Sequence, residues 1–165
     1  MSDRPYNVLF LCTGNSARSI LAESLVNQIG GDRFRGFSAG SFPKGEVHPM
    51  ALALLKEMKL PTEGLRSKSW DEFAAPGAPP LDFIFTVCDN AAGEVCPVWP
   101  GKPISAHWGL PDPAAVEGSG SEQRLAFEAT LAALEKRIRA LVGLPIEFID
   151  RTGLKQHLDK IGRGS

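Results

Sequence analysis

A cysteine at the end of an apolar run has the clearest chemical signature in this chain. The run covers residues 8–11, and the segment Cys12-Thr13-Gly14-Asn15-Ser16-Ala17-Arg18-Ser19 then leads into a helical pattern. A helix N-terminus with successive backbone amides favours an oxyanion, and the Arg18 guanidinium can hold two oxygens. The same positive field stabilises a thiolate. The pattern therefore predicts a nucleophilic cysteine that attacks a bound tetrahedral oxyanion.

Each position of this segment has a predicted role. Gly14 is expected to let the backbone turn so that successive amides point inward, Asn15 to brace the turn, and Ser19 to donate a hydrogen bond to the sulfur. The predicted oxyanion-binding residues are Thr13, Gly14, Asn15, Ser16, Ala17 and Arg18. The alternative interpretation is a buried structural cysteine beside a surface arginine.

Asp112 is the candidate general acid. Pro113 follows it and stiffens the loop, so the carboxyl group could be held over the site and protonate a leaving oxygen. Aspartate-proline pairs are also common in turns, and a simple turn or helix cap is the alternative.

Cys88 and Cys96 are candidates for redox chemistry. The chain has 3 cysteines, an odd number that argues against a structural disulfide framework, and their spacing fits zinc poorly. Small and polar residues separate Cys88 from Cys96, so a thiolate there could attack Cys12 and be attacked in turn. Two unrelated thiols are the alternative.

The histidines and the remaining basic residues have simpler interpretations. His48 precedes Pro49 and is expected to cap a helix, and His107 with Trp108 is expected to position the Asp112 segment. Lysines and arginines elsewhere should lie on solvated surfaces, except that Arg66 or Lys68 could line the mouth of the site.

Strands alternating with helices position these residues. Strands are predicted at residues 7–11, 35–39, 81–87 and 102–106. Helices are predicted at 18–29, from 49 to the stop at Pro61, at 122–142 and at 146–161, with a short helical turn at 67–73. A Ser119/Glu122 capping box precedes the helix at 122–142. This alternation predicts an α/β fold with a parallel sheet. Ligands bind beyond the carboxyl ends of such strands, so Cys12, Cys88 and residues 107–112 should share one edge.

Length and composition set outer bounds on function. The chain of 165 residues predicts a single domain, residues 1–165, with a core at about 6–142 and a helical extension at about 144–165. A net charge of -1 gives no general attraction to nucleic acid or to a membrane surface. We find no signal peptide and no spanning segment, and we expect a cytoplasmic protein.

The ordered motifs resemble the low-molecular-weight protein tyrosine phosphatase superfamily and, within it, the arsenate reductases. The resemblance covers residues 7 to about 142 and rests on the 12–19 loop, Ser38-Ala39-Gly40, Val47-His48-Pro49, Thr86-Val87-Cys88, Cys96-Pro97, His107-Trp108-Gly109 and Asp112-Pro113-Ala114. It implies a three-layer α/β/α fold with a four-stranded parallel sheet. It also implies that the 12–19 segment is a phosphate-binding loop.

Two features of the resemblance favour a reductase. Phosphatases of the family carry aromatic residues after the aspartate-proline pair, whereas Ala114, Ala115 and Val116 follow here. Reductases add two shuttle cysteines, at the places of Cys88 and Cys96. Ala17 stands where many members carry another cysteine, which confines the relay to Cys12, Cys88 and Cys96.

A potassium site near the loop is known in some similar reductases. Asn15, Glu23 and Ser38 match its pattern, but Lys68 stands where an acidic ligand is expected, and its ammonium could replace the cation.

The resemblance implies an arsenate reductase that is reset by thioredoxin, with glutaredoxin and glutathione as the other possible reductant. We expect a monomer without a cofactor. The alternatives are a phosphatase acting on phosphotyrosine or small phosphate esters, and a non-catalytic module that binds oxyanions or senses redox state.

Overall fold

Four parallel strands form the sheet of this protein. The computed structural model describes residues 5–87, 103–116 and 118–163. The strands are β1 (Tyr6–Leu11), β2 (Phe34–Ala39), β3 (Phe83–Thr86) and β4 (Ile104–His107), in the order β2-β1-β3-β4. Leu11 is in register with Ala39 and Thr86, and Thr86 with His107, so the strands end at one edge. The predicted parallel sheet is confirmed.

Both faces of the central strand β1 are buried, because its side chains alternate between two hydrophobic clusters. Val8 and Phe10 belong to the larger cluster, and Leu9 and Leu11 to the smaller one. A strand buried on both sides accounts for the unbroken apolar run before Cys12.

Helices cover the two faces of the sheet. The helices within the described residues are α1 (Arg18–Ile29), α2 (Pro49–Glu57), α3 (Asp71–Ala74), α4 (Gly120–Val142) and α5 (Arg151–Gly162). Buried residues of α1, α2, α4 and α5 contribute to the larger cluster, whereas Phe73 of α3 packs in the smaller one. The result is the three-layer α/β/α architecture that the resemblance implied.

The C-terminal segment differs from the prediction of one helix at residues 146–161. It forms a 3-10 turn at Ile146–Phe148 and then α5, which begins after Asp150. The Asp150 carboxylate accepts a hydrogen bond from the Gly153 amide at 2.7 Å, so it is the N-cap that divides the segment. Among the residues described, no helix is long and apolar enough to cross a membrane.

Candidate active site

The loop of residues 12–19, here called the cysteine loop, connects β1 to α1. Cys12 is 5% exposed, and its amide donates to the Ala39 carbonyl at 3.2 Å. The carbonyls of Thr13, Gly14 and Ser16 accept bonds of 2.9–3.0 Å from the amides of Phe42, Lys44 and His48, in that order. In a trans peptide the N–H points opposite to the preceding carbonyl. The amides of residues 14, 15 and 17 therefore point away from the partners of those carbonyls.

The left-handed backbone position in the cysteine loop is Asn15, next to the bend at Gly14. Asn15 has a φ of 45°, whereas Gly14 is not among the residues with positive φ. Asparagine tolerates this left-handed conformation better than most residues. The side-chain amide of Asn15 is fully buried. Its Nδ2 donates to Ser19 Oγ at 2.9 Å, and its Oδ1 accepts from the Lys68 backbone amide at 2.8 Å. The predicted bracing role of Asn15 is thus confirmed, and the backbone bends at Gly14 as predicted, without a positive φ.

Ser19 occupies the first turn of α1 and is completely buried. Because its oxygen accepts the hydrogen bond from Asn15, its own proton is left for another acceptor. The predicted bond to the Cys12 sulfur is compatible with this arrangement.

Arg18 is the first residue of α1, and one of its buried nitrogens has no hydrogen-bond partner among the described residues. Its Nη1 donates to the Leu110 carbonyl at 2.8 Å, and its Nη2 lies 3.7 Å from Asp112 Oδ2. Its Nε is buried, and no hydrogen-bond acceptor among the described residues reaches it. An unsatisfied buried donor costs about 1–3 kcal/mol, so an anion bound at Nε would recover that energy.

Asp112 both caps a short helix and faces the site. Its Oδ1 accepts from the Ala114 amide at 3.0 Å, which caps the 3-10 turn Pro113–Ala115. Its side chain is 37% exposed, and its Oδ2 is the atom near Arg18. The two interpretations of this residue, cap and site acid, are therefore structurally compatible.

The segment of residues 108–116, here called the aspartate loop, is held mainly through its backbone. The Trp108 and Leu110 amides donate to the carbonyls of Thr86 and Val87 at 2.7 and 3.1 Å. Arg137 on α4 donates to the Trp108 carbonyl at 2.7 Å.

Trp108 anchors the aspartate loop in the core. Its ring stacks on Phe85 with centroids 3.8 Å apart, and its indole N–H donates to the Leu158 carbonyl of α5 at 3.0 Å. The nearby His107 Nδ1 lies 2.7 Å from Thr86 Oγ1, a contact between strand ends. The positioning role predicted for residues 107 and 108 therefore has its clearest structural basis in Trp108.

One open pocket of about 190 Å³ unites the predicted nucleophile, arginine and acid. Its walls are formed by Cys12, Thr13, Gly14, Ser16, Ala17, Arg18, Phe42, Lys44 and Asp112. The fold thus brings together Cys12, Arg18 and Asp112 although they are 6 to 100 positions apart in the chain. Cys88 and Cys96 lie outside the described residues.

The basic residue at the mouth of this pocket differs from the prediction. Arg66 pairs with Glu72 on an exposed surface, and Lys68 is buried, so neither lines the pocket. Lys44 lines it instead. Little in the sequence points to Lys44, because its position depends on how the segment after β2 folds over the cysteine loop. The prediction that His48 caps α2 is confirmed, since its Nδ1 accepts from the Met50 amide at 3.1 Å.

Comparison with known proteins identifies the family. The model of the low molecular weight phosphotyrosine protein phosphatase family matches residues 7–157. The chain belongs to this family. An arsenate reductase from Halalkalibacterium halodurans is 36% identical over 132 residues, which is 80% of this chain and 91% of that relative.

Solved structures of this phosphatase family agree with that match. An arsenate reductase from Archaeoglobus fulgidus is 30% identical with a TM-score of 0.64, covering 83% of this chain and 99% of that one. A thioredoxin-dependent arsenate reductase from Corynebacterium glutamicum is 26% identical with a TM-score of 0.61. That alignment covers 86% of this chain, which spans only 62% of the Corynebacterium chain.

Lys68 lies among Asn15, Glu23 and Ser38, the residues that match the potassium pattern in the sequence. Its ammonium donates to the carbonyls of Ser38 and Arg66 at 2.8 Å each and lies 3.8 Å from Glu23 Oε1. The Ser38 hydroxyl also donates to Glu23, at 2.5 Å. The buried Lys68 ammonium already supplies the positive charge among these oxygens. The residues therefore do not fit a potassium ion in addition to it.

The Glu23–Lys68 pair carries opposing electrostatic effects. Burial raises the pKa of Glu23, while the Ser38 hydrogen bond and the Lys68 charge lower it. Burial lowers the pKa of Lys68, and the charge of Glu23 raises it. Each group therefore offsets part of the cost of burying the other.

Proposed function

We propose that this protein is an arsenate reductase in which Cys12 is the nucleophile, Arg18 the oxyanion ligand and Asp112 the general acid. The observation that carries the proposal is Arg18, which lines the pocket with Cys12 and Asp112 and whose buried Nε has no hydrogen-bond partner among the described residues. Arginine binds oxyanions through paired N–H groups. The amides of residues 13–18 are the further proposed oxyanion donors.

In the first chemical step the Cys12 thiolate attacks arsenic. A sulfur–arsenic bond forms, an arsenic–oxygen bond breaks, and Asp112 protonates the departing hydroxide to give water. Ser19 is proposed to stabilise the thiolate by a hydrogen bond from its free proton. Arsenic remains in the +5 state at this stage.

Reduction requires a second thiol, for which Cys88 is proposed. Its thiolate attacks the Cys12 sulfur, and the electron pair of the sulfur–arsenic bond stays on arsenic, which leaves as arsenite in the +3 state. Cys96 then attacks Cys88, which frees the Cys12 thiolate and leaves a Cys88–Cys96 disulfide. A dithiol reductant reduces that disulfide and completes the cycle.

The proposed reductant is thioredoxin, and the Corynebacterium relative, named as thioredoxin-dependent, supports this choice. Glutaredoxin with glutathione is the alternative. We further propose a cytoplasmic monomer with one domain over residues 1–165, which acts on arsenate and has no nucleic-acid partner.

The test is arsenite release by the purified protein with thioredoxin, thioredoxin reductase and NADPH. We expect sustained turnover from the wild-type protein, none from Cys12→Ser, and at most one turnover from Cys88→Ser or Cys96→Ser. Full multiple-turnover activity in either of the last two variants would refute the relay. Arsenite formation that stops after one burst with thioredoxin but continues with glutaredoxin and glutathione would change the reductant.

Phosphatase activity is the second candidate, and Phe42 is the observation that favours it. This aromatic ring is 74% exposed and lines the pocket, so it can contact an aryl group although Ala114 and Ala115 cannot. Aryl phosphate hydrolysis should be assayed beside arsenite release. Efficient hydrolysis without arsenite turnover would favour the phosphatase, and oxyanion binding without either activity would indicate a non-catalytic module.

A further inference from the structure

Lys44 lies against the cysteine loop along the length of its side chain. Its amide donates to the Gly14 carbonyl at 3.0 Å, and the residue lines the pocket. A Cβ atom added to Gly14 would lie 3.2 Å from Lys44 Cε and 3.4 Å from Cγ. Gly14 therefore leaves the space in which the aliphatic part of Lys44 packs.

The charge of Lys44 is less compensated than that of Arg18, the other cation in the pocket wall. Arg18 shares its guanidinium with the Leu110 carbonyl and Asp112. In the described parts of the chain, no carboxylate is within ion-pair distance of Lys44, whereas Arg66 and Lys68 each have one.

The charge of Lys44 also acts on a neighbouring side chain. After burial, which has the largest effect, the Lys44 charge also lowers the pKa of His48, and Asp112 opposes it. His48 therefore interacts with the charges of two residues that line the pocket. A negative ion in the pocket would interact with the same charges.

An oxyanion that enters this pocket meets a thiolate in the reactive form of the enzyme. Repulsion from that thiolate is greater for a doubly charged ion than for a singly charged one, because the interaction energy scales with the product of the charges. The attraction between the ion and a second cation beside Arg18, here Lys44, also scales with the product of the charges. We propose that Lys44 is a specificity-determining residue that makes the pocket select tetrahedral dianions over monoanions.

This inference rests on the proposed function, since it assigns a further residue of the same oxyanion site. Its test uses binding of inorganic ions, which requires no turnover. Phosphate, sulfate and perchlorate are titrated into the reduced full-length protein at pH 8 and constant ionic strength by calorimetry. Phosphate and sulfate are mainly dianions under these conditions, and perchlorate is a tetrahedral monoanion.

We expect Lys44→Met to weaken phosphate and sulfate binding about tenfold or more, the usual scale for loss of a charge-assisted contact. Perchlorate binding should weaken only by about the square root of that factor, about threefold where the dianions lose tenfold, because a monoanion gains half as much Coulomb energy from the Lys44 charge. Lys44→Arg should restore dianion binding to near the wild-type level. Lys56→Met removes a lysine that is exposed and outside the pocket, and it controls for net charge.

Each of the other outcomes overturns a defined part of the inference. Equal loss of dianion and monoanion binding in Lys44→Met, or no loss of either, would refute selectivity by charge. Loss in both Lys44→Met and Lys44→Arg would indicate side-chain shape instead. A wild-type protein that binds no phosphate would overturn the proposed function itself. If Lys44→Met binds phosphate as tightly as the wild-type protein does, only the role of Lys44 is overturned.

Discussion

The cysteine loop and the aspartate loop face the same pocket but are held by different kinds of contact. The cysteine loop is fixed by a buried polar network in which Asn15 bonds to Ser19 and to the Lys68 backbone. The aspartate loop is fixed through backbone groups and the buried Trp108 ring, and the Asp112 side chain is left 37% exposed. A nucleophile benefits from a single rigid position, whereas a general acid must exchange its proton with solvent in each cycle.

This difference predicts where substitutions act. In the network beneath the cysteine loop, lost contacts leave buried polar groups unsatisfied and should lower stability as well as rate. At the Asp112 carboxyl group, substitutions should lower the rate with little effect on stability.

The largest effect is expected for Asp112→Asn, which cannot donate a proton as an acid. An asparagine oxygen can still accept the bond from the Ala114 amide, so the cap should persist. We expect the single-turnover rate of arsenite formation, measured by rapid quench, to fall about a thousandfold with an unchanged melting temperature. A rate within about threefold of wild type would exclude Asp112 as the acid. Asp112→Ala, which loses both functions, should also destabilise the protein.

Lys68→Met should cost the most stability. It leaves Glu23 buried without its cation, and breaking such a pair costs about 4 kcal/mol in the free energy of unfolding. The double variant Lys68→Met/Glu23→Gln removes both charges and should recover much of the loss. Urea unfolding at pH 8 measures all three proteins, and a single variant as stable as wild type would contradict the account of the pair.

The loss in the free energy of unfolding caused by Lys68→Met should also depend on pH. Burial already raises the pKa of Glu23, and removing the Lys68 charge, which lowers it, raises it further. A carboxyl group with a raised folded-state pKa favours the folded protein at low pH, and this contribution is lost as the pH rises through that pKa. The deficit relative to wild type should therefore be smaller near pH 5 than at pH 8. A deficit that grows on acidification would reverse this assignment.

Comparing Asn15→Ala with Asn15→Gly separates the cost of the left-handed backbone from the loss of the Asn15 side-chain hydrogen bonds. Both variants lose the bonds to Ser19 and Lys68, but only alanine must also pay for the left-handed backbone. We expect Asn15→Ala to lose about 3 kcal/mol of stability and Asn15→Gly about 2 kcal/mol. Thermal unfolding with parallel phosphate titration checks both, and equal stabilities would show that the left-handed conformation carries no cost here.

The smallest effect is expected for Arg137→Met, which removes a brace from the aspartate loop. The Trp108 carbonyl loses its charged donor, at a cost of about 1 kcal/mol. The melting temperature should fall by about 2–4 °C, and the single-turnover rate by severalfold, with phosphate affinity unchanged. Arg139→Met lies on the same helix, where its side chain pairs only with Glu135 among the described residues, and it is the matched control. Equal effects of the two substitutions would remove the positioning role.

Much of the architecture follows from local sequence pattern. The apolar run before Cys12, the Pro49 start of α2 and the Ser119 cap of α4 are signals within a few residues of the elements they define. Asp150 carries the same kind of signal, and the prediction of one helix at 146–161 overlooked it. Parallel topology then brings Cys12 to the same edge as residues 107–112, since strand ends align in such a sheet.

The sequence by itself thus determined the parallel sheet and singled out the candidate nucleophile, arginine and acid that the sheet gathers, because each depends on residue type and short spacing. The tertiary structure alone decided that Asn15 makes the left-handed turn, that Lys68 lies beneath the loop and that Lys44 lines the pocket. Those outcomes depend on contacts between segments about 30 to 50 positions apart. Such contacts form only when the chain after β2 packs on the cysteine loop, so no local pattern of residues encodes them.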